Sequence, residues 1–130
     1  MKLEEITKKY ESPIIGIIGA TSPLPDYDSD DAYRLGYELR DVVSKKGSLF
    51  TGGVSGVGTD VYRGIVDYCI EHGVDDKFFV LFPNMDFEPP KEYFRLAERT
   101  KSGVLRVERV GVDMEERRSY VGAVADLLVL

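Results

Sequence analysis

The segment GGVSGVGTD, residues 52–60, places Gly52, Gly53, Gly56 and Gly58 among small side chains, between an apolar run and a helical pattern. Glycines allow positive φ and let a ligand approach the backbone, and a turn into a helix leaves N–H groups without intrahelical partners. Such a turn attracts phosphate. Val54 and Val57 would add backbone donors, and Ser55 and Thr59 would add hydroxyls. Gly19, Ala20, Thr21 and Ser22, in the loop after an earlier apolar run, would face the same ligand. The plainer alternative is a tight strand-to-helix turn capped by Thr59 or Asp60, and the glycine count favours the anion site.

The pattern restricts the phosphate. No Lys follows the glycines as GK[ST] requires, which argues against a triphosphate-hydrolysing loop. The order is GGxxGxG after a second strand, not GxGxxG after a first, and no ribose-binding acid holds the dinucleotide position. A mononucleotide or sugar phosphate fits better.

Other reactive side chains read as structural. His72, the only histidine, adjoins Gly73 at a helix end, where a cation favours the last carbonyls. Asp26, Asp28, Asp30 and Asp31 crowd a helix entry, and without a second histidine no metal site is expected. Cys69 falls on an apolar helical face. Arg117 lies near the start of the last helix and reaches a ligand only if that helix crosses the top of the sheet; otherwise it is an exposed partner of neighbouring acids.

Five apolar runs would position these residues. Ile14–Ile18 reads as a strand buried on both faces, followed by Ser48–Thr51, Lys77–Phe82, an edge strand in VLRVERV and Asp126–Leu130. Between them lie helical patterns. The first is capped by Ser29 or Asp30 and turns Leu35, Leu39, Val42 and Val43 inward before Lys45, Lys46 and Gly47; the second turns Val61, Ile65, Cys69 and Ile70 inward. PPKEYFRLAERTK opens on proline, and DMEERRSYVGAVA precedes the last strand. The alternation predicts an α/β, Rossmann-like three-layer sandwich, one domain over residues 1–130 with a mainly parallel sheet of about five strands. Ligands of such sheets bind beyond the carboxyl ends of the strands.

Composition agrees with one folded unit. The 130 residues are 43% hydrophobic and 31% charged, and a chain of this length buries about two thirds of its unfolded surface. A net charge of -6 and a pI near 4.8 disfavour nucleic acid. One cysteine excludes an intramolecular disulfide and fits a reducing cytoplasm, and no run approaches the ~20 apolar residues of a membrane span. The expected partner is a small phosphorylated molecule.

These residues resemble the SLOG superfamily, which includes the LOG-type nucleoside 5′-monophosphate phosphoribohydrolases once described as lysine decarboxylases. GIIGATS is similar to that family's first loop, LFTGGVSGVGTDVYRGIV to its second loop and helix, and MEERRSYVGAVAD to its MxxRKxxMxxxAD segment. The resemblance implies that Gly19, Thr21 or Ser22 and the backbone of 52–58 hold phosphate and ribose. It implies that Arg117 contacts the ligand at the N-glycosidic centre, and that the protein is a homodimer without a cofactor. In the family, a glutamate in PGGxGTxxE assists hydrolysis of the base–ribose bond. That motif would follow ADLLVL, where the sequence ends, so the expectation divides between a fragment and a protein that binds without hydrolysing. Related proteins suggest two other readings, a carrier for a phosphorylated cofactor such as molybdopterin and a DprA-like single-strand DNA binder, the latter disfavoured by the acidic charge.

Overall fold

IIGI and FFVLF are built for burial on both faces of a sheet, and that is where they lie. The computed structural model describes residues 2–19, 28–43 and 46–129. In chain order its elements are α1 (Lys2–Lys9), β1 (Ile14–Ile17), α2 (Ser29–Val42), β2 (Ser48–Thr51), α3 (Val57–His72), β3 (Phe78–Phe82), α4 (Lys91–Glu98), β4 (Val107–Arg109), α5 (Met114–Val124) and β5 (Leu127–Val129). The strands form one parallel sheet in the order β4-β3-β2-β1-β5. This is the three-layer, Rossmann-like α/β architecture.

Alternate residues of each strand feed two cores. Ile15, Ile17, Leu49, Phe78, Val80 and Phe82 pack beneath α2, α3 and α4. Ile14, Phe50, Phe79 and Leu81 pack beneath α1 and α5 with Ile6, Tyr10, Val121 and Val124. The edges differ. β4 pairs only with β3, as its alternation predicts, while β5 pairs only with β1 and leaves Leu127 and Leu128 exposed.

Several local expectations are corrected. Lys2–Lys9, ahead of the first apolar run, forms α1 and buries Ile6. Asp28, one residue before the expected caps, closes α2 by accepting the Asp30 N–H at 2.9 Å. The buried stripe of α2 is Ala32, Gly36 and Arg40, with Val43 at its cap; Leu35 and Leu39 flank it, and Val42 is 78% exposed. The cause is close packing of α2 on α3: any Cβ at Gly36 would collide with the Val61 carbonyl, and one at Gly64 with that of Tyr33. Ile70 is exposed beside the buried Cys69. Lys45 lies outside the described residues.

The amino edge of the sheet is tied by a polar cluster. The buried Arg40 donates to the carbonyls of Asp76 at 2.9 Å, Val43 at 2.5 Å and Gly47 at 3.0 Å. The buried Asp76 carboxylate accepts from Tyr62 and from Arg106, each at 3.0 Å. Among the described residues, no helix is long and apolar enough to cross a membrane.

Candidate anion site

β1 and β2 are neighbours in register, with Ile17 opposite Thr51, so the segments that follow them leave the sheet side by side. Gly19 packs so closely on Val57, the first residue of α3, that a Cβ would collide with its side chain. Ala20, Thr21 and Ser22 lie outside the described residues.

The second loop turns through positive φ at Gly53 (75°) and Gly56 (95°), where other residues are strained. Gly56 caps α3 in place of the expected Thr59 or Asp60. Thr59 still serves the turn, receiving the Gly56 N–H at 3.2 Å and donating to the Gly56 carbonyl at 3.0 Å. Val57, Gly58 and Thr59 open the helix, so their N–H groups have no intrahelical carbonyl. Ser55 is exposed at the tip, with Val54 and Val57 half-buried.

Beneath the loop lies a hydroxyl pair. The Tyr93 phenol, from α4, donates to the Val54 carbonyl at 2.9 Å and meets the Thr51 hydroxyl at 3.1 Å. Gly58 makes room for it, since a Cβ there would strike the phenol oxygen. Burial raises the Tyr93 pKa above its ordinary value, opposed by the Thr51 hydrogen bond. The phenol therefore stays protonated at neutral pH.

Arg117 closes the site from the other layer. Asp113 caps α5, its carboxylate accepting the Glu116 N–H at 2.8 Å, and thereby fixes where the first turn begins. Because α5 runs from the β4 edge back toward β5, Arg117 reaches the end of β2: a Cβ at Gly52 would lie 3.2 Å from its Nη1 and 3.3 Å from its Nη2. Arg117 is 5% exposed, and among the described residues its Nε has no hydrogen-bond partner. Its side chain contacts Met114 Sδ at 3.8 Å, and no carboxylate pairs with it among the described residues. Burial, with the nearby Arg118 charge, lowers its pKa, although a guanidinium remains charged. The exposed, acid-paired arrangement is not what forms.

The structure thus gathers Gly19, residues 52–59 and Arg117 at one edge of the sheet. The other reactive side chains lie elsewhere. His72 ends α3 with Nδ1 2.9 Å from the Tyr68 carbonyl, and Cys69 is buried with its thiol pKa pushed up to about 12. Tyr93 and Thr51, which support the loop, are not evident from spacing: they lie 42 positions apart and meet only through packing of α4. Thr51, a hydroxyl ending an apolar strand, was the one available signal.

Together these groups offer hydrogen-bond donors and one desolvated cation, a set suited to holding an anion. No family model matches the sequence, and no curated protein matches it. The fold is similar to the X-ray structure of TM1055, a Northeast Structural Genomics Consortium target, with a TM-score of 0.56 and 18% identity over 88% of this chain. The match spans 58% of that protein's length, and at this identity the likeness concerns the fold alone.

Proposed function

We propose that this chain binds the phosphate of a nucleoside 5′-monophosphate, or of a similar small molecule, as a LOG-like member of the SLOG superfamily. The observation that carries the reading is Arg117, a buried guanidinium that pairs with no carboxylate among the described residues and is held against Gly52 beside the start of α3. An uncompensated buried charge costs several kcal/mol, and a bound anion would offset that penalty. The resemblance adds an extension, hydrolysis of the N-glycosidic bond, in which water replaces the base and leaves ribose 5-phosphate. It also suggests a cytoplasmic homodimer.

One feature favours the second reading, a carrier that holds its phosphorylated ligand unchanged. Among the described residues, the side chains packed against the loop, Thr51, Tyr93 and Arg117, are not carboxylates that could assist departure of a base, and Asp60, in the first turn of α3, lies 3.8 Å from Arg63.

The test is titration with AMP and inorganic phosphate, alongside assay of free base. Saturable binding weakened about tenfold or more by Arg117→Ala is expected. Release of adenine, lost in Arg117→Ala, would establish the hydrolase; binding without release would establish the carrier. No saturable binding of any nucleoside monophosphate or phosphate would overturn both.

A further inference from the structure

We infer that Tyr93 is a positioning residue that holds the Val54–Ser55 peptide with its N–H turned outward, toward the phosphate; this rests on the phosphate-site reading above. A phenol has one proton. Tyr93 donates it to the Val54 carbonyl at 2.9 Å, so in the 3.1 Å contact Thr51 is the donor and the phenol oxygen the acceptor. Thr51 in turn lies 3.5 Å from the Gly53 N–H, and this order gives the three groups one direction.

The consequence follows from peptide geometry. The Val54–Ser55 bond is trans and planar, so the Ser55 N–H points opposite to the Val54 carbonyl. With the carbonyl drawn down toward α4, that N–H faces away from the core, at the exposed tip of the loop. The reversed peptide would present the carbonyl oxygen, which repels phosphate. Arg117, 5% exposed at the other side of the same loop and with neither an acidic partner nor a hydrogen bond at Nε among the described residues, is the independent sign that an anion belongs there.

The test is NMR of the full chain titrated with inorganic phosphate, following the Ser55 and Gly58 amides. In the wild type both are expected to shift with saturation. Tyr93→Phe should weaken phosphate about tenfold and abolish the Ser55 shift. In Tyr93→Phe the Gly58 shift should persist at higher phosphate while the Ser55 shift is lost, whereas a purely structural role would weaken the two alike. An unaltered Ser55 shift and affinity in Tyr93→Phe would overturn the inference. A wild-type protein in which Gly58 shifts and Ser55 does not would overturn it without any variant. A wild type that binds no phosphate would instead refute the phosphate site itself.

Discussion

Arg117 and Gly52 meet across the seam between α5 and the end of β2, so closely that a Cβ on Gly52 would lie 3.2 Å from the guanidinium. Gly52 is not among the residues of positive φ, so alanine is conformationally acceptable there. Its methyl group would nevertheless force Arg117 to move by a few tenths of an ångström. Gly52→Ala is expected to weaken phosphate binding several-fold while changing stability by no more than about 1 kcal/mol. Calorimetric titration and urea unfolding of the same preparation check the two halves.

Close packing of α2 on α3 makes a different forecast. At Gly36 the obstacle is the Val61 backbone, which cannot swing aside as a flexible side chain can. Gly36→Ala should destabilise the fold by about 1–3 kcal/mol, despite alanine's better helix propensity. A lowered urea midpoint with an unchanged slope is the expected result.

Cys69 links stability to alkaline pH. Burial foremost, and then the Asp76 charge, pushes its thiol up to about 12, with Arg40 opposing. Between the unfolded thiol value near 8.5 and the native one, the native state holds a proton that the unfolded state has lost. Stability therefore falls as pH rises through that window. Tyr33, raised to about 12 chiefly by its hydrogen bond to Asp67, acts in the same direction. Urea midpoints at about pH 8 and about pH 10.5 should show the decline, and Cys69→Ala should lessen it. Native Cys69 should also resist alkylation at about pH 8 until the chain unfolds.

Where the sequence was readable, one residue type dominated its surroundings. Ile14, Ile15 and Ile17, and the aromatic run from Phe78, announce doubly buried strands with little competition. α1 gives little signal because Leu3 and Ile6 stand among lysines and glutamates, and their burial depends on α5. The stripe of α2 departs from the apolar pattern for a related reason: Gly36 and Arg40 do not look like core residues, yet one permits helix contact and the other satisfies three carbonyls. At the candidate site, the glycine loop was legible from composition. The burial of Arg117 was not, because it depends on the path of α5 across the sheet rather than on spacing within the helix.

The pairing of β5 with β1 joins distant parts of the chain. The Asp126 carboxylate accepts the Ile14 N–H at 2.7 Å across 112 positions, whereas Ile14 and Ser48, about 34 positions apart, bring β1 to β2. Closure entropy grows only with the logarithm of length, so the longer closure is disfavoured by merely about 1 kcal/mol more. Its effect on timing is larger. As the chain is synthesised, β1 keeps an open edge until β5 emerges, and α5 has then emerged just before it. The cation of the candidate site and the strand that covers this edge of β1 thus lie in one contiguous segment, so the candidate site gains its guanidinium only when the segment that covers β1 is in place.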